Sequence, residues 1–90
     1  MGYPQIEQNT KAGEYEVPSL NFAAVLLCYG RKVLYTKPHK FKANLSVWVF
    51  EDDGTAKDLY RQYTARKLTV EPQLYWENVR ALKDMALNNQ

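Results

Sequence analysis

Val33-Leu34-Tyr35-Thr36-Lys37-Pro38-His39-Lys40-Phe41-Lys42-Ala43-Asn44-Leu45-Ser46-Val47-Trp48-Val49-Phe50 is the stretch whose reading decides the fold. Its two ends, residues 33–37 and 45–50, are rich in β-branched and aromatic side chains, which suit a pleated and partly covered surface. Pro38 and Asn44 bound a polar segment of about seven residues between them, so two antiparallel strands with a long tip are expected. The second strand carries large side chains at both parities, which predicts cover on both of its faces. A two-stranded sheet is marginal alone and needs helices against it.

Working outward, Ser19 follows Pro18 as an N-cap, and an apolar run from Phe22 to Cys28 stops at Gly30, a residue suited to a helix end. A first helix over about residues 20–29 is expected, apolar nearly all round and therefore central, with Cys28 as a small core hydrophobe. After the hairpin, Glu51, Asp52, Asp53 and Gly54 end the second strand. Thr55 with Asp58 three residues on resembles a capping box that opens a second helix. Ala56, Leu59, Tyr60 and Tyr63 then fall on one stripe, and Arg66 or Lys67 closes the helix. Pro72 after Glu71 opens a third helix to about Leu87, with Tyr75, Val79, Leu82 and Ala86 as its apolar stripe, widened by Trp76 and Met85. Trp48 and Trp76 both stand among apolar neighbours and are expected in the core.

The fold class that follows is α+β: a two-stranded antiparallel hairpin packed with three helices, in the order α-β-β-α-α. Residues 1–18, with Gly2, Pro4, Gly13 and Pro18 and no periodicity, read as a flexible N-terminal arm that could dock through Tyr3 or Tyr15. Residues 19–90 form the single compact domain, a length and an apolar fraction of 46% sufficient for one core. The arm holds one lysine against three glutamates, so the basic excess of a chain with net charge +2 lies in the domain. A single cysteine permits no internal disulfide, and the apolar run is far short of the roughly twenty residues a membrane span requires. A cytoplasmic location and no membrane association are expected.

Several pieces together resemble a small uncharacterised domain family of bacteria, their phages and other mobile elements. They are Ala23-Ala24-Val25-Leu26-Leu27 with Gly30, Val47-Trp48-Val49-Phe50-Glu51-Asp52, Tyr63 followed by Val70-Glu71-Pro72-Gln73-Leu74-Tyr75, and Arg80-Ala81-Leu82-Lys83. What the resemblance implies is a fold and a phage or mobile-element setting, in which the location would be the host cytoplasm; the family has no function to lend. Two departures stand out. Family members tend to have glycine after the tyrosine-bearing helix, where this chain has Ala65 or Arg66, and the hairpin tip here is longer and more basic.

The residue types limit the chemistry. With one histidine and one cysteine, the sole conceivable metal site is all-oxygen, at Glu51, Asp52 and Asp53, and acids before a helix more often stabilise its positive end. No cofactor, no small-molecule substrate and no enzymatic activity are expected, because Cys28 reads as buried, His39 lies on a tip, and the four glycines are scattered. What remains is binding. Arg31, Lys32, Lys37, Lys40 and Lys42, five of the twelve basic residues, crowd into residues 31–42 without an acid among them. Arg31, Lys37, His39, Lys40, Phe41 and Lys42 are therefore the expected contacts to nucleic acid, DNA above all: the cations lie on phosphates while Phe41 stacks on or beside a base. Arg61, Arg66 and Lys67 on the second helix would extend that surface. The alternative is a protein-protein adaptor, or an inhibitor of a host protein, that takes a partner or a second copy through a sheet edge or an aromatic patch.

Overall fold

The computed structural model describes residues 13–42 and 45–88. In chain order the elements are β1 (Glu14–Val17), α1 (Leu20–Cys28), β2 (Val33–Pro38), β3 (Ser46–Glu51), α2 (Ala56–Thr64) and α3 (Pro72–Asn88). The three strands make one antiparallel sheet in the order β1-β3-β2. From Leu20 onward this is the α+β arrangement of order α-β-β-α-α. The sheet has one strand more than the hairpin supplies, because Glu14-Tyr15-Glu16-Val17 pairs with the second edge of β3, Val17 opposite Trp48 and Glu14 opposite Glu51. Residues 1–12 of the expected arm, Tyr3 among them, lie outside the described residues, as do Ala43 and Asn44 of the tip.

β3 fills both faces of the sheet, as its large residues at both parities predict. Trp48 and Phe50 point to the helices and join Val17, Phe22, Leu26, Val79 and Leu82 in one buried cluster. Each such side chain contributes about 1.5–3 kcal/mol through its removal from water. Ala23 and Ala24 are fully buried too, and their small size lets α3 lie close along α1. The Trp48 indole N–H donates to the Leu82 carbonyl at 3.0 Å, which pins α3 to the central strand.

On the opposite face Val47 and Val49 are also buried, Val49 completely. Two side-chain bridges cross β3 over them. The Tyr35 hydroxyl donates to Glu14 Oε1 at 2.9 Å, and the Lys37 ammonium pairs with Glu16. The ring of Tyr35 and the methylene stem of Lys37 thus shield the valines while their polar ends stay in water.

The helix ends show how local sequence sets the chain path. Ser19 caps α1 as expected, its hydroxyl accepting from Phe22 N–H at 3.2 Å. Gly30, at φ 81°, closes that helix with Arg31 N–H to Leu26 O and its own N–H to Leu27 O, the paired bonds of a Schellman motif. The Thr55–Asp58 capping box does not form: Thr55 makes no side-chain cap, and Asp52 Oδ1 instead accepts from Gly54 and Ala56 N–H. Aspartate competes well for this role because its carboxylate reaches back over the turn. α3 starts as expected at Pro72, with the Glu71 carboxylate accepting from Gln73 and Leu74 N–H. Trp76 corrects the expected core: it is 55% exposed, because Tyr75, Val79 and Leu82 already fill the buried stripe and Trp76 falls on the flank of α3.

α2 ends with a second Schellman pair, Arg66 N–H to Tyr63 O and Lys67 N–H to Gln62 O, which forces Arg66 to φ 62°. This is where the family resemblance leads one to expect glycine. A residue with a Cβ costs about 1–2 kcal/mol in this conformation, whereas glycine gains chain entropy on unfolding of about 0.4–1 kcal/mol. Arg66→Gly is therefore expected to raise stability by about 0.5–1 kcal/mol, read as a higher urea midpoint at unchanged slope; an unchanged or lower midpoint would contradict this account of the turn.

Candidate functional site

The basic hairpin is less free than its sequence suggests. Arg31 is bound on one side: its guanidinium donates to Asp53 Oδ1 at 3.1 Å and to the Thr55 hydroxyl at 2.7 Å. Asp53 in turn accepts from Thr55, and that hydrogen bonding, with Arg31 beside it, holds its carboxyl below the usual carboxylate range. Lys37 is engaged by Glu16 across the sheet. Lys40, Phe41 and Lys42 are exposed at the tip, Phe41 by 84%. His39 shapes that tip rather than offering its ring outward, since its Nδ1 accepts from Phe41 N–H at 3.1 Å and Lys42 N–H at 3.2 Å.

The second basic group stands elsewhere. α2 packs on α1 and, among the described residues, makes no extensive contact with β2 or β3. Arg61 pairs with Asp58 one turn away on the same helix, Arg66 sits in the turn that ends it, and Lys67 follows. The structure leaves Lys40, Phe41 and Lys42 exposed side by side in the chain, pairs Arg31 and Lys37 with acidic residues, and puts Arg61 on α2 with Arg66 and Lys67 just beyond it.

A second surface forms where β1 meets α1 and α2. Phe22, fully within the core, stacks edge-on against Tyr60 at 5.1 Å between ring centroids and lies against Tyr63 at 5.0 Å. Tyr60 completes this cluster at the surface, 45% exposed. Beside it runs a groove of about 160 Å³, lined mostly by apolar groups of Tyr15, Val17, Pro18, Phe22 and Tyr60, with Glu16 and Ser19 also on its wall. β1 is an edge strand, and among the described residues nothing pairs with its outer side. The sheet's other edge is less regular, because β2 shifts register between Val33 and Tyr35 and ends at Pro38.

Two signals for this second surface were in the sequence: the strict alternation Glu14-Tyr15-Glu16-Val17 and the place of Tyr60 in the apolar stripe of α2. They point to one site only when β1 is seen beside α2. Glu14 also acts on its neighbour. By accepting from Tyr35 it raises that phenol above its ordinary range.

Among the described residues, no group of three or more His, Cys, Asp or Glu side chains is placed to hold a metal ion, and no helix is long and apolar enough to cross a membrane. No curated protein and no solved structure matches the chain. A family pattern does, over residues 12–88, which takes in every helix and strand described above. The chain belongs to the family described as a domain of unknown function, DUF5659.

Proposed function

We propose that this domain is a small non-enzymatic binding module that takes an extended segment of a protein partner along the outer edge of β1. One observation carries the reading: an edge strand open among the described residues lies directly against an apolar groove roofed by an exposed tyrosine. Main-chain hydrogen bonds along such an edge give affinity, and a groove for alternate side chains gives selectivity. In the phage or mobile-element setting that the family resemblance implies, such a module acts as an adaptor or as an inhibitor of a host protein in the cytoplasm.

Contact with nucleic acid through the tip is the second reading, supported by Phe41 standing exposed between Lys40 and Lys42. It ranks lower because Arg31 and Lys37 already have acidic partners, which reduces the field that phosphate would meet. One comparison separates the two. Capture of a partner from nuclease-treated host lysate is expected to persist with Lys40, Phe41 and Lys42 all changed to Ala, and to be lost with Tyr60→Ala when that variant melts normally. Capture that needs the tip residues, ignores Tyr60 and disappears with nuclease would overturn the protein-docking reading in favour of nucleic acid.

A further inference from the structure

The phase of the β1–β3 ladder decides which backbone groups β1 offers. Asp52 N–H donates to Gly13 O at 2.8 Å, just outside the pair Glu14–Glu51. In an antiparallel ladder that bond makes Glu14–Glu51 a non-hydrogen-bonded pair, and the alternation makes Tyr15–Phe50 a hydrogen-bonded one, Glu16–Val49 not, and Val17–Trp48 again bonded. The N–H and C=O groups of Glu14 and Glu16 therefore face away from β3, toward the edge with which no described residue pairs, while those of Tyr15 and Val17 are spent inside the sheet. A strand added there bonds to Glu14 and Glu16. Its residues opposite them share their face of the sheet, and the residue between, opposite Tyr15, falls on the helix side beside the groove.

The charge on that face is one-sided. Glu14 and Glu51 stand directly opposite each other in the pairing type that brings side chains closest, an arrangement of like charges that costs stability. Among the described residues Glu14 receives a neutral hydroxyl, from Tyr35, and no cation, and Lys32 beyond Glu51 makes no ion pair with it. Lys37 offsets Glu16 alone. A second copy fits badly, because β1 laid against β1 would set Glu14 and Glu16 beside their own equivalents. On the helix side the groove, at about 160 Å³, is comparable to the ~150 Å³ cavity that accepts a benzene ring in another protein.

We infer that the partner segment at the β1 edge alternates basic and apolar residues, with Lys or Arg opposite Glu14 and Glu16 and one branched or aromatic side chain between them in the groove under Tyr60. This rests on the docking reading above and names the chemistry of what docks. Opposite-charge neighbours across strands contribute about 0.2–1 kcal/mol each, so the pairs at Glu14 and Glu16 amount to a preference of about two- to thirtyfold over a neutral segment.

The test uses the full chain, labelled with nitrogen-15, and three capped peptides: Thr-Lys-Tyr-Lys-Val-Lys-Thr and the same peptide with every lysine replaced by glutamine or by glutamate. The lysine peptide is expected to shift the amides of Glu14–Val17 and to bind about two- to thirtyfold more tightly than the glutamine peptide, with the glutamate peptide weaker still. The double variant Glu14→Gln with Glu51→Gln, which relieves a repulsion and so folds, is expected to reduce that preference to the part that Glu16 supplies. Equal binding of the lysine and glutamine peptides at the β1 amides would overturn the charge inference and leave the docking reading standing. No shift of those amides by any peptide would overturn both, and a dimer in sedimentation whose formation perturbs the same amides would overturn the inference in favour of a second copy.

Discussion

Trp48→Ala is expected to lower the free energy of unfolding by about 3–5 kcal/mol, a large share of the ~5–15 kcal/mol that holds a domain together. Trp48 lies at the middle of the central strand, buried against the helices, opposite Val17 on one side and Thr36 on the other. Removing the indole leaves a cavity under α3 and deletes the bond to Leu82 O. Trp48→Phe separates these contributions. It keeps most of the apolar contact and loses the hydrogen bond, for which a cost of about 0.5–1.5 kcal/mol plus a smaller packing loss is expected. Urea unfolding of the two variants checks the ordering; equal losses would mean that the hydrogen bond, not the packed ring, dominates.

Phe22→Ala is the second large effect, also about 3–5 kcal/mol, and it acts in a different place. α2 buries a single residue, Ala56, and joins the rest of the domain through Leu59 and through the stacking of Tyr60 and Tyr63 on Phe22. Aromatic pairs of this geometry add about 0.5–1.5 kcal/mol beyond their buried area. Without the phenyl ring α2 loses its anchor, so its amides should exchange with solvent well before those of α1 and β3. The groove wall goes with it. Binding at the β1 edge is therefore expected to fall with Phe22→Ala and to be largely kept with Phe22→Leu, as measured by peptide titration; α2 amides that stay as protected as those of β3 in the alanine variant would refute this view of how the helix is held.

Much of the architecture was legible because the signals were local. The hairpin, the apolar first helix with its Ser19 cap and Gly30 stop, and the Pro72 start of α3 each rest on residues within a few positions of one another. β1 was not, since four residues between Gly13 and Pro18 form a strand only because β3 presents a second edge, about thirty residues further on. Trp48 and Trp76 make the same point within one residue type: both lie in apolar surroundings in the sequence, but a rotation of one position on α3 puts Trp76 on the flank while Trp48 is enclosed. The tip residues were readable as a cluster of charge. Their partners were not, because Asp53 and Glu16 reach Arg31 and Lys37 from 22 and 21 positions away, through the sheet. Of the three acids, Asp52 and Asp53 turn to the start of α2 as acids before a helix generally do, whereas Glu51 ends β3 opposite Glu14.

α1 bears on how the chain is made. Its residues form a large apolar block, and part of the cover of Phe22, Ala23, Ala24 and Leu26 comes from Val79 and Leu82, far along the chain. Until the stretch around Leu82 has been synthesised, that block is only partly covered, and the nascent polypeptide offers a sticky segment to chaperones and to its neighbours. A stop codon between Glu51 and Leu82 should thus give inclusion bodies instead of a shortened but folded product.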